Sequence, residues 1–456
     1  MHRLKQLWSS LRSSFWFMPT LIVAASVALA VALVETDSAV NDRWLAQWPR
    51  LFGATPEGAR QLLATIASSM MTVMGVTFSM TLVALALASS QYTSRILRNF
   101  MRSRVTQSTL GIFAGIFAYC LIVLHTIRSG VGEAVFVPSL ALFFAFVLAL
   151  GGVGVLIYFI HHIASSIQAS SIIASVAEET IAAIERLLSA KLGHAPDDEL
   201  DQVPDSREEQ SLDEWTWHPV PAKTDGYIQN VDDAALVRLA QDNKIVLRME
   251  RGVGEFVVQD TALASLAPRV PPDQGTIAAL NAAYSISSHR TVDQDLAFGV
   301  RQIVDMALKA LSPGVNDIST AVMCVDYLTA ILARLATRKF PALRRYHEDE
   351  LRVIAMAPTF ESLLSSAFDQ IRRNAKGNVS VMSRMLGSLD VIARQTNSPC
   401  RRLALGEQVQ RIAELAARTI DSAHDRARLE ARLLCVRKAL DARPVARADE
   451  ERRVVQ

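Results

Sequence analysis

Cysteine is scarce in this chain, with four in 456 residues: Cys120, Cys324, Cys400 and Cys435. No two form a CxxC, and no histidine stands at metal-ligand spacing from any of them, so neither a disulfide framework nor a zinc module is expected. They read as buried or incidental thiols of a reducing compartment. An excess of charge is missing too. The 47 Lys and Arg nearly balance the 45 Asp and Glu, leaving +2, which excludes the strongly basic face of a dedicated nucleic-acid binder. There is no P-loop, no Rossmann glycine pattern, no HExxH and no GxSxG in a strand–turn–helix setting. No residue is assigned a catalytic role, and no metal and no cofactor is implied.

The most informative shortage is local. Four long runs in the first third contain no Lys, Arg, Asp or Glu: Phe15 to Val34, Leu62 to Ser90, Leu110 to Ile127 and Ala134 to Ile160. About 20 apolar residues cross the hydrocarbon core of a bilayer, so four transmembrane helices are predicted. The first is too long for a signal-peptide core and three more follow it, so it reads as an uncleaved span. Arg3, Lys5 and Arg12 precede the first run, and Arg95, Arg98, Arg102 and Arg104 lie between the second and third. Basic residues favour the cytoplasmic side, which puts both termini there.

In the second run Ser68, Thr72, Gly75 and Ser79 fall at i, i+4, i+7 and i+11, on one helical face. Such a face lines a water-filled path or lets helices approach closely. Gly111 and Gly115 form a GxxxG in the third run, a packing device. After the fourth run, Ile172, Ile173, Val176, Ile184, Leu187 and Leu188 recur near helical spacing. The span is therefore expected to continue as an amphipathic helix whose stripe needs cover from the soluble part or from another subunit.

The remainder has soluble composition. Residues 193–220 are acidic and read as a linker. Within 221–270, "GYIQNV", "KIVLRM" and "EFVV" read as strands, the last two meeting around Gly252 and Gly254 in a hairpin-like turn, with Asp232 capping a short helix. "MERGVGEFVVQDTALASL" resembles a half-motif of lipoyl- and biotinyl-type folds, but the modifiable lysine is absent and no swinging arm is implied. Residues 271–442 carry apolar-periodic segments and are predicted as an α-helical bundle, with a frayed tail at 443–456. The expected fold is thus a membrane α-helical domain (1–162) with a helical extension (163–192) and a cytoplasmic α+β region, a small β-module plus a helical bundle.

Two spots in the bundle hold the dense polar chemistry. His289, Arg290, Asp293 and Asp295 cluster just before a helix, where they bind a phosphate or cation through the Arg290 fork, or cap and pair at the helix start. Ser312, Pro313, Gly314, Val315, Asn316 and Asp317 join two helices. Pro313-Gly314 suits a type II turn with Gly314 at positive φ, and Asn316 or Asp317 suits the next N-cap. The loop is a structural joint or a ligand loop.

"GVTFSMTLVALALASSQYTSRIL", "GYIQNVD" and "RTVDQDLAFGVRQIVDMALKALSPGVNDISTA" together resemble a bacterial family of predicted membrane proteins, domain of unknown function 2254. The chain departs from the family pattern at Tyr92 to Ser94 and at Ile318 and Ser319, where the family carries prolines. The resemblance implies an inner-membrane location and this domain order, and no known activity. Two functions are expected from different classes. The first is an oligomeric channel-like protein with a cytoplasmic sensing or gating domain. The second is a membrane-anchored signalling or scaffold module with an unknown ligand. The partners expected are the bilayer and further copies of the chain.

Overall fold

The structure, a computed structural model, describes residues 16–39, 55–91, 104–128, 136–166, 168–188, 215–267, 273–348 and 350–442. Most of the acidic stretch, the tail, Tyr92 to Ser94 and the basic residues Arg95, Arg98 and Arg102 lie outside these. Two compact units divide at Ser171/Ile172.

The first unit holds α1 (Phe17–Ala39), α2 (Pro56–Gln91), α3 (Arg104–Thr126) and α4 (Ser139–Ser166). All four are long and apolar enough to cross a membrane. Helix α3 is the inner one. It buries Phe113, Ile116, Tyr119, Cys120 and Val123, and packs on α1, α2 and α4. Its GxxxG explains why α1 comes so close. A Cβ on Gly111 would stand 2.9 Å from the Pro19 Cα, and one on Gly115 would land on the Ser26 hydroxyl.

Span ends are tied by polar side chains, which matters because unpaired helix termini are costly in a low-dielectric medium. The Asp37 carboxylate accepts from the Leu140 and Ala141 N–H groups at 3.1 and 3.0 Å, capping α4 from the end of α1. Arg60 donates to the Ile127 carbonyl at 2.9 Å, just past the end of α3. Within the core, Tyr119 Oη donates to the Ala141 carbonyl at 2.7 Å.

The expected continuous extension of the fourth span is interrupted. Helix α4 ends at Ser166, and a separate α5 (Ala169–Leu187) begins three residues later. In the second unit the apolar stripe of α5 is covered by the same chain: Ile173, Val176, Ala177 and Ile184 are buried.

The second unit then runs β1 (His218–Pro221), β2 (Gly226–Val231), α6 (Asp233–Asp242), β3 (Val246–Met249), β4 (Phe256–Val257), β5 (Ala262–Ala267), α7 (Gln274–Ala283) and β6 (Tyr284–Ser287). It continues with α8 (Leu296–Ala310), α9 (Ile318–Leu335), β7 (Arg344–His347), β8 (Glu350–Ile354), α10 (Phe360–Asn374), α11 (Val379–Ala393), α12 (Pro399–Thr419) and α13 (Ala423–Asp441). Asp232 caps α6 as expected, accepting from the Ala235 N–H.

The strands on either side of Gly252 and Gly254 do not form a hairpin. Strand β3 pairs with β5 and, in parallel, with β8 in a sheet ordered β1-β5-β3-β8-β7, while β4 joins β2 and β6. The physical reason lies in the turn, where Gly254 adopts φ +87 and donates its N–H to the Ile228 carbonyl at 2.8 Å. That bond carries the chain away from β3 and toward β2. Strands β7 and β8 occupy the start of a segment whose apolar spacing reads as helix, so the sheets draw on residues outside 221–270.

A fifth helix, α9, also meets the length and hydropathy of a span. It packs on α8, α10 and α11 within the second unit, burying Ala321, Cys324, Val325, Leu328, Ile331, Leu332 and Leu335.

Candidate functional site

Ser68, Thr72, Gly75 and Ser79 lie on the face of α2 that is exposed in the single chain, opposite buried Leu63, Ala67, Met70 and Thr77. A Cβ added to Gly75 would meet nothing within 4 Å. Packing inside the chain is done by Gly111 and Gly115 of α3 instead. Thr72 donates to the Ser68 carbonyl at 3.0 Å and Thr65 to the Gln61 carbonyl at 2.7 Å. Back-bonding of this kind lets a hydroxyl sit at membrane depth without another partner.

In the second unit, the sequence stretch from Arg290 to Asp317 does not form one site. Arg290 and Asp293 precede α8, whereas Ser312 to Asp317 follow it. The 15 residues of α8 separate them by roughly 22 Å at about 1.5 Å per residue.

Asp295 explains the geometry at the near end. Nearly fully buried, it caps α8 by accepting from the Phe298 N–H at 3.0 Å, while its other oxygen takes the Arg290 Nε at 2.7 Å. Arg290 also lies over the Phe298 ring, 5.1 Å from its centre. The backbone of Gly254 covers this pair so closely that a Cβ there would overlap the Asp295 carboxylate. Asp293 points elsewhere: its carbonyl accepts from Arg186 of α5 at 2.7 Å. Ser287 and Ser288 hydroxyls lie 3.4 Å from His289 Nδ1.

At the far end, Ser312 accepts from the Val315 and Asn316 N–H groups at 3.0 and 2.9 Å, and the Asp317 N–H closes on the Ala310 carbonyl at 2.8 Å. The expected positive φ at Gly314 is not found. Asn316 takes that conformation instead, at φ 49. Asparagine tolerates the left-handed region better than most residues, because its short polar side chain bonds locally. Asp317 is the N-cap of α9, accepting from the Thr320 N–H at 3.0 Å and the Thr320 hydroxyl at 2.5 Å. Those bonds, the hydroxyl one foremost, hold its carboxyl below the usual carboxylate range. Pro313, Gly314, Val315, Asn316 and Asp317 are all exposed. The backbone of the turn thus closes on the end of α8, and the Asp317 carboxylate caps α9.

A concavity with converging polar groups lies between the start of α8 and α10. Arg290, Ala297, Arg301, Ser365, Ser366, Asp369, Gln370 and Arg373 line a cleft of about 370 Å³. On α10 the lining residues recur at i and i+4 (Ser365 and Asp369, Ser366 and Gln370, Asp369 and Arg373), opposite buried Leu364, Ala367, Phe368 and Ile371. Among the described residues, no three His, Cys, Asp or Glu side chains come together as metal ligands.

A model of the family described as "Predicted membrane protein (DUF2254)" matches residues 12–391. The chain belongs to this family. It is 31% identical over 437 residues to uncharacterised proteins of Mycobacterium bovis and Mycobacterium tuberculosis, covering 94% of this chain and 81% of each relative. A counterpart in a second Mycobacterium tuberculosis strain is 30% identical over the same length. No solved structure matches. The α2 face, the joint and the cleft all fall inside the stretch that matches the DUF2254 model.

Sequence reasoning found Arg290 in the cleft and missed Arg301, Ser365, Ser366, Asp369, Gln370 and Arg373. The available signal was the polar face of α10, whose hydroxyls, amide and charges repeat every fourth residue. Its pairing with α8 depends on tertiary packing across some 70 residues of chain, which periodicity does not carry.

Proposed function

We propose that this DUF2254 member works in the bacterial inner membrane as a channel-like homo-oligomer, with four spans and a cytoplasmic C-terminal unit that senses or gates. The observation that carries the reading is the exposed Ser68, Thr72, Gly75 and Ser79 face of α2. Hydroxyls and a bare glycine gain nothing from lipid tails, whereas a neighbouring copy or a water-filled path uses both. One chain contributes few helices, so a path requires several copies.

Light scattering on detergent-purified protein and flux into protein-containing liposomes test this together. A discrete oligomer and a flux abolished by Gly75→Trp are expected. A monomer that passes no ion under any ligand or tension overturns the reading.

A second reading, a membrane-anchored signalling or scaffold module, is favoured by the α8–α10 cleft, which lies wholly within the C-terminal unit. That module responds to its ligand without conducting.

A further inference from the structure

We propose that the cleft between α8 and α10 binds a phosphate monoester dianion, with Arg290, Arg301 and Arg373 as its guanidinium donors. This deepens the sensing part of the function proposed above by naming the ligand chemistry.

The donor set points there. Three guanidinium groups, the Ser365 and Ser366 hydroxyls and the Gln370 amide face one cavity, against a single lining carboxylate. That carboxylate, Asp369, is already engaged. Arg372 and Arg411 lie 3.6 and 3.5 Å from it, and Gln408 Nε2 donates to it at 3.2 Å. Guanidinium forks match phosphate oxygens two at a time, and hydroxyls complete the remaining acceptors.

Two of the arginines are held in place beforehand. Arg290 Nε is bound by Asp295 and Arg301 Nε by Asp305, each at 2.7 Å. Both bonds use the inner nitrogen and leave the terminal nitrogens for a ligand. A side chain already fixed by its neighbours loses less freedom on binding. Arg290 is further shielded by the Phe298 ring beneath it and is only 22% exposed, which strengthens its electrostatics relative to a surface arginine.

Arg373 is the third donor and has no ion-pair partner among the described residues. Arg290 and Arg301 each keep a carboxylate partner, so Arg373 brings the positive charge that a dianion meets uncompensated. The volume suits a small phosphorylated molecule. No aromatic ring lines the cleft, so charge rather than stacking carries the affinity, and binding weakens with salt.

The test uses the full chain in detergent, with binding read by calorimetry and by the shift in unfolding temperature. Inorganic phosphate and a nucleoside 5′-monophosphate present the dianion in solution, and vesicles containing phosphatidic acid present it as a lipid headgroup. Saturable binding of a soluble probe identifies a soluble ligand, and binding confined to the vesicles identifies a headgroup; either supports the phosphate site. Arg373→Gln and Arg301→Gln are each expected to weaken binding about tenfold, as loss of one charge-assisted bond does. Arg418→Gln, an exposed arginine elsewhere in the unit, leaves it unchanged.

Equal binding by wild type and Arg373→Gln overturns the proposal. So does no binding of any probe, or succinate binding as tightly as phosphate. Binding is measured without flux, and flux without added probe, so failure of the site and failure of the channel are seen separately.

Discussion

Two consecutive arginines show how single side chains hold the bundle of the second unit together. Arg401 is fully buried among backbone carbonyls and aromatic rings. Its Nη1 donates to the carbonyls of Leu335, Ala336 and Arg338 at 3.3, 3.1 and 3.1 Å, and its plane lies over Phe340 and Phe360. It thereby satisfies the orphan carbonyls at the end of α9 from a different helix. Arg402 does the same for α13, donating to Ala439 and Ala442 at 2.8 Å each and also to Leu440. Arg401→Ala removes the donors and leaves both a cavity and buried carbonyls, so a loss of about 3 kcal/mol or more is expected. Chemical unfolding of the purified protein measures it, and an unchanged midpoint would sink the capping role.

The Asp317 cap gives a pH signature at the same scale. Its folded carboxyl titrates below the ordinary value, so the charged form is favoured by folding. The contribution is present above the unfolded carboxyl pKa of about 3.9 and is lost as pH falls through the lower folded value. Asp317→Ala is expected to cost about 1 kcal/mol at pH 7, with the gap to wild type closing in acid. Unfolding curves at neutral and acidic pH decide it; a gap that stays constant with pH contradicts the cap. Thiol chemistry adds a third check. Cys324 is fully buried and its thiol is pushed up to about 12 by burial, whereas Cys400 and Cys435 are exposed. Mass spectrometry after maleimide treatment should find the two exposed cysteines modified in the native protein and Cys324 only after denaturation.

At the scale of elements, close approach is set by glycine. A Cβ on Gly299 of α8 would overlap the Thr180 side chain of α5, so Gly299→Val forces these helices apart. Overpacking of that kind costs about 1 to 3 kcal/mol. Gly75→Ala, with nothing within 4 Å inside the chain, is expected to bring no such overpacking cost. Thermal unfolding of the two variants side by side checks both, and an unshifted Gly299→Val would mean that α5 is not seated on α8. The elements themselves were largely legible in the sequence. Leu296, Val300, Ile303, Val304 and Ala307 form a buried stripe on α8, and Asp232 and Asp317 cap helices as aspartates before apolar-periodic runs do. Strand partners were not legible. Short strands such as Phe256–Val257 carry no register of their own, and the neighbour of β3 beyond β5 is β8, about a hundred residues later. The α2 stripe was visible as a spacing; its outward orientation was not, because the GxxxG of α3 had first to be placed against α1.

At the scale of the whole molecule, the question is which apolar helices enter the bilayer. Among the described residues, length and hydropathy alone give five candidates. Helix α9 differs from the others in what its polar residues do. Asp326 forms a two-pronged ion pair with Arg384 of α11, and Thr329 donates to the Ser388 hydroxyl at 2.6 Å. A lone Asp at mid-span would be costly in lipid, whereas here it is paired on a surface of the bundle. The apolar face of α9 is consumed by α8, α10 and α11, and its N-cap and its C-terminal carbonyls are served by Asp317 and Arg401. A helix with its apolar face spent on neighbours has none left for lipid tails. Residues 172–442 expressed alone should therefore remain in the soluble fraction and unfold cooperatively, with far-UV circular dichroism dominated by helix. Recovery of that segment only in detergent would place α9 in the membrane and raise the number of spans to five.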